Sequence, residues 1–155
     1  MTMLENEFLT AMPIPWQIVV LRLVGASIFC GLIGLEREVK SHAAGLRTNM
    51  LIGLGAAVFT IAAQYMVEHF SSSGDSVRMD PIRLIEAATA GVAFLAAGTI
   101  VLSQGRVKNV TTGALMWVSA AIGLSVGLGL WILALATTVL ALIISAVLSR
   151  LDLDS

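Results

Sequence analysis

A chain of 155 residues that is 57% hydrophobic and only 12% charged cannot cover its own surface in water, since soluble domains carry about 25% charged residues. Its net charge of −1 offers no basic field for nucleic acid and no acidic tail. A single cysteine, Cys30, sits inside an apolar run, which excludes a disulfide framework and makes it a small packing residue. The lipid bilayer is therefore the expected solvent. The N-terminus carries Glu5 and Glu7 rather than a basic stretch, and no cleavage site follows the first apolar run, so a signal peptide is not expected.

A hydrocarbon core of about 30 Å takes roughly 20 helical residues. On that measure five spans are expected, at about 15–36, 48–67, 82–102, 112–128 and 131–149. The first is interrupted only by Arg22 and ends at Glu36-Arg37-Glu38. The second carries no charge. The third opens at Asp80-Pro81, which reads as an N-cap followed by a proline at the first helical position, with a binding carboxylate as the other reading of Asp80, and it holds Arg83 and Glu86 near its start. From Gly113 to Ser149 there is no charged residue, a run of about 55 Å as a helix, too long for one crossing. It must fold back, and Gly127-Leu128-Gly129 before the interfacial Trp131 is the expected turn. Thr111 or Thr112 is expected to cap the fourth helix. The loop 103–109 is too short for a domain. Period-two alternation is absent, so the fold class is an all-α membrane bundle forming one domain, not a β-barrel. No internal repeat supports an inverted-repeat transporter.

Orientation follows from lysine and arginine in the loops. Arg37, Lys40, Arg47, Arg106, Lys108 and Arg150 fall on one side, Arg78 and Arg83 on the other. The six mark the cytoplasm, placing the N-terminus outside and the C-terminus inside. Between helices in lipid, close backbone approach matters more than apolarity. Small residues recur every four positions at Ala26, Cys30 and Gly34; at Ser119, Gly123 and Gly127; at Ala121, Ser125 and Gly129; at Thr137, Ala141, Ser145 and Ser149; and at Ala87 and Gly91. A tight bundle and a homo-oligomer are expected from these ladders.

Arg22 lies about seven residues into the first span, roughly 10 Å deep, where an unpaired arginine costs at least about 2.5–3.5 kcal/mol. Three readings stand open: a guanidinium reaching back to headgroups, an ion pair, or a solute-binding or relay group. Glu86 lies at a similar depth in a span running the same way, so an Arg22–Glu86 contact is expected, with Asp80 competing. Glu36 lies fourteen residues after Arg22, on one stripe with Gly25, Phe29 and Leu32, which is expected to face the bundle interior. Glu36, Arg37 and Glu38 read either as an interfacial charge cluster or as a cytoplasmic mouth or docking surface. His42 and His69 stand alone, and the carboxylates are too scattered for a dehydrated magnesium cage. No nucleophile, phosphate-loop or zinc motif occurs. An enzyme, a cofactor and a metal site are not expected.

Gly34-Leu-Glu36-Arg37-Glu38, Ala44-Gly45-Leu-Arg47-Thr48-Asn49, Asp80-Pro-Ile-Arg83 with Gly91-Val-Ala-Phe94-Leu-Ala-Ala-Gly98, and Thr111-Thr112 with Trp117 and Ser119-Ala-Ala-Ile-Gly123 resemble the MgtC/SapB family in order and spacing, from about Arg22 to Gly129. Arg22 and Glu36 also stand where that family has an arginine and a glutamate. The sequence departs from the family where Ala93 and Ala96 replace glycines and where Glu86 replaces a small residue. Many members carry a C-terminal cytoplasmic regulatory domain, whereas this sequence stops at Ser155, so the transmembrane part alone is expected. The resemblance implies a bacterial inner-membrane protein of adaptation to low magnesium or acid, in some members linked to virulence. It implies either a regulator of another membrane complex, such as ATP synthase, or a magnesium or small-solute transporter acting as an oligomer.

Overall fold

The computed structural model describes residues 14–71, 81–103 and 106–151. Five helices follow in chain order: α1 Trp16–Val39, α2 Leu46–Ser71, α3 Pro81–Thr99, α4 Val110–Gly127 and α5 Trp131–Leu151. The chain is thus an all-α bundle, and the proline at 81 opens α3 as expected, while its proposed cap Asp80 lies outside the described residues. Among the described residues three helices are long and apolar enough to cross a membrane: α1, α2 over Leu46–Glu68, and α4. In α3 and α5 the apolar stretches are shorter, Ile85–Thr99 and Trp131–Val147.

Helix α4 is the central post, packed by α1, α2, α3 and α5. Its contact with α2 is made by backbone. A methyl group on Gly123 would overlap the carbonyl of Gly53 and stand 2.8 Å from its Cα, and one on Gly127 would lie 2.9 Å from the Ala57 carbonyl. The Ser119, Gly123 and Gly127 ladder is therefore the seam of the bundle, because helices solvated by lipid gain most from such close approach. Helix α1 enters the same core through Ala26, Cys30 and Ile33, all at most 1% exposed. On α1 the expected inward stripe was Arg22, Gly25, Phe29, Leu32 and Glu36; the helix is turned by about one residue from that, and Leu32 points outward. Phe29 still packs, edge-on against Trp131 of α5. With apolar surroundings on every side, hydrophobicity does not fix a helix's rotation; the small residues do.

Two helix ends close by the same turn. At the end of α4, Gly129 N–H donates to Val126 O and Leu130 N–H to Ser125 O, with Gly129 at φ +82°. This is a Schellman motif, and it confirms the fold-back at 127–129. At the end of α1, Ser41 N–H donates to Glu38 O and His42 N–H to Arg37 O, with Ser41 at φ +56°.

Between α3 and α4 the expected plain loop is instead a small hairpin, β1 Val101–Ser103 and β2 Arg106–Lys108, antiparallel with Val101 opposite Lys108. Asn109 then precedes α4 in the left-handed region, and its Nδ2 donates to Thr99 O across the hairpin base. Neither Thr111 nor Thr112 caps α4, because Asn109 occupies the N-cap and both threonines lie within the first turn.

Candidate functional site

The bundle holds two polar centres, one near each end of α4. The first is built on Arg22, in the second turn of α1. Its Nη1 donates to the carbonyl of Gly127 at 2.7 Å and to Oε1 of Gln64 at 3.0 Å. The last carbonyls of a helix have no partner within it and carry the negative end of the helix dipole. A guanidinium placed there is held by dipole and hydrogen bond without any carboxylate. The expected Arg22–Glu86 contact is not made: Glu86 is exposed on α3, which packs chiefly on α4 and α2. The nearer partners are the end of α4 and the amide of α2. Gln64 escaped notice as an uncharged residue in an apolar span; its polarity inside hydrocarbon was the available signal.

Arg22 also lines a cavity of about 720 Å³ between the start of α1, the end of α2, the start of α3 and the end of α4. Gln64, Thr60 and Glu68 are its other polar walls, and Phe59, Ile85, Leu124 and Leu128 are among the apolar ones. Gly129 is shaped to this centre, since a Cβ there would lie 2.7 Å from Nη2 of Arg22.

The second centre lies where α1 ends and α2 and α4 begin. Arg37 is only 4% exposed, and its Nη2 donates to Oγ1 of Thr112 at 2.7 Å. Beside it Asn49, 1% exposed, joins two helices: its Nδ2 donates to Gly45 O at 2.9 Å, and its Oδ1 accepts from Ser119 Oγ at 2.8 Å. Cys30 Sγ donates to Ser119 O. Glu38 reaches over the turn and accepts from Leu46 N–H at 2.8 Å, capping α2. A Cβ on Gly45 would overlap that carboxylate and push it off the Leu46 N–H. Glu36 pairs with Lys40 and accepts from Ser145 Oγ of α5 at 2.9 Å. Arg37, Glu38, Gly45, Asn49 and Thr112 are thus brought together, with Glu36 at their side. Arg47 is exposed and Thr48 half-buried. Ser119 and Ser145, read from sequence only as packing residues, are the polar links.

Other candidates face away from the bundle. Arg83 and Glu86 are exposed on α3. Phe94 is 80% and Trp117 50% exposed, and nothing lies within 4 Å of a Cβ built on Gly91 or Gly98. Among the described residues no group of three His, Cys, Asp or Glu side chains could hold a metal ion.

A family model described as the MgtC family matches residues 23–153. The chain belongs to the MgtC family. It is 39% identical over 132 residues to the Escherichia coli protein named "Putative magnesium transporter YhiD", covering 85% of this chain and 61% of that one. It is 38% identical over 129 residues to "Protein MgtC" of Brucella abortus, covering 83% and 50%. Against "Protein MgtC" of Salmonella typhimurium it is 38% identical over 123 residues, covering 79% and 49%. The chain thus spans about half to three-fifths of these relatives' lengths. No solved structure matches it.

Proposed function

We propose that this member of the MgtC family is a non-enzymatic inner-membrane protein that regulates another membrane complex, such as ATP synthase, during adaptation to low magnesium or acid. In this reading all five helices cross the membrane, with the N-terminus outside and the C-terminus in the cytoplasm. The observation that carries it is the closed seam between the two polar centres. Ala26, Cys30, Ile33, Ala57, Ile122 and Val126 form one buried apolar cluster there, and α2 and α4 meet backbone to backbone. A hydrated ion has no room in such a core. The exposed Gly91, Phe94 and Gly98 face of α3 offers close approach to another membrane helix.

The second reading is a magnesium or small-solute transporter working as an oligomer. The name of the Escherichia coli relative favours it, as does the cavity at Arg22. Against passage of a bare cation stands the guanidinium at the inner part of that cavity, which repels like charge beyond the Glu68 carboxylate at its outer part.

Purified protein in liposomes, with magnesium and proton flux followed in one preparation, separates the two. The regulatory reading expects flux no greater than in empty vesicles from protein that restores growth of a deletion strain at low magnesium. Magnesium flux that saturates with concentration would overturn it. For orientation, His42→Cys is expected to resist a membrane-impermeant thiol reagent in intact spheroplasts while Ser73→Cys reacts; the reverse pattern would invert the topology.

A further inference from the structure

We propose that the cavity at Arg22 is a binding site for a zwitterionic phospholipid headgroup of the phosphoethanolamine class, with the phosphate on the guanidinium and the ammonium on Glu68. Three observations carry this. First, Arg22 has donors to spare. Both hydrogen bonds it makes to protein leave from Nη1, so among the described residues Nη2 keeps its donors, and a guanidinium's planar fork suits a phosphate oxygen. Second, among the described residues the cavity has one cation and one carboxylate in its walls, Arg22 and Glu68. A simple anion satisfies the first and is repelled by the second, whereas a zwitterion satisfies both.

Third, the order of depth fits a lipid. Gln64, which Arg22 grips, and Glu68 lie four residues apart on α2, about 6 Å along the axis. Helix α2 runs outward to Ser71, so Glu68 is nearer the water than Arg22. A phosphoethanolamine headgroup is tethered to its acyl chains through the phosphate, so it can place its ammonium outward of that phosphate on Glu68. On the opposite side of Gln64, Phe59 on α2 and Leu124 on α4 line the cavity deeper in the bundle, where acyl chains belong. A 720 Å³ space is of the size that takes a small amphiphile.

The test is native mass spectrometry of delipidated protein in detergent, offered equal amounts of phosphatidylethanolamine, phosphatidylcholine and phosphatidylglycerol with identical chains. The first lipid retained should be phosphatidylethanolamine, preferred roughly tenfold, the worth of one charge-assisted hydrogen bond. Glu68→Gln sits on an exposed position and leaves the Arg22 bonds intact, so it should fold and lose that preference over phosphatidylcholine. Leu128→Trp, at the exposed rim, should reduce retention of all three. A wild-type protein that retains phosphatidylglycerol best, that retains no lipid selectively, or whose preference survives Glu68→Gln would overturn the proposal.

Discussion

Helix α1 carries two arginines about four turns apart, and they meet opposite ends of α4. Arg22 sits against the C-terminal carbonyls of α4 and takes a glutamine as second partner. Arg37 sits at the N-terminal turn of α4, with Thr112 Oγ1 as acceptor and Nε buried without a partner. The helix dipole favours a cation at the first place and opposes it at the second. Neither arginine forms an ion pair among the described residues, where Glu36 pairs with Lys40. One charge is therefore placed where the fold welcomes it, and the other where the fold tolerates it. A buried, poorly compensated charge at a helix junction is the kind of feature that function retains at a cost in stability.

The largest effect that tests this contrast is Arg22→Ala. It removes two charge-assisted hydrogen bonds and leaves the Gly127 carbonyl and the Gln64 amide unmatched. A loss of about 2–3 kcal/mol is expected, read as a lower midpoint of thermal unfolding in detergent. Arg47→Ala, on an exposed residue, should stay within about 0.5 kcal/mol of wild type. Equal small shifts for both would mean that Arg22 is not held as described.

Gly129→Ala comes next. A side chain at φ +82° is strained, and its Cβ would press on Nη2 of Arg22, so about 1–2 kcal/mol should be lost. The double variant Arg22→Ala with Gly129→Ala sharpens the comparison. Without the guanidinium the second part of that cost vanishes, so the two losses should sum to less than their separate values. Strict additivity would separate the turn from the arginine.

At Arg37 the sign reverses. Arg37→Met keeps much of the volume and removes an incompletely satisfied buried charge, so stability should be unchanged or raised by about 1 kcal/mol. If the charge serves function, the same variant should fail to restore growth at low magnesium while accumulating normally. A destabilised Arg37→Met protein would show instead that the Thr112 bond holds the junction together.

Much of this was legible in the sequence for physical reasons. A charge-free run too long for one crossing forces a turn, and only 127–129 offers glycines beside an interfacial tryptophan. Arg22 announced its depth by standing alone among apolar residues. Its partners did not announce themselves: helix-end carbonyls have no letter in the sequence, and Gln64 carries no charge. Arg37 looked interfacial because it lies between two glutamates, but Glu36 turns to Lys40 and Ser145 while Glu38 caps α2. The rotation of α1 was illegible because lipid and core are both apolar. The hairpin at 101–108 is three residues a side, too short for alternation to reveal.

The smallest effect concerns the turns that deliver the two arginines' surroundings. Both follow the same hydrogen-bond pattern, yet α4 closes with glycine at the left-handed position and α1 with Ser41. Serine there opposes its own Cβ, and the turn persists because Glu38 ties it to the first turn of α2. Ser41→Gly removes the steric cost but frees the unfolded chain, so a net gain of about 0.5 kcal/mol is expected. Measured in a Glu38→Gln background, where the tie is weakened, the gain should be larger, because the turn then depends more on its own backbone preference. An unchanged gain would mean that the Glu38 contact caps α2 without shaping the turn, and that the Arg37 end is held by Asn49 and Thr112 alone.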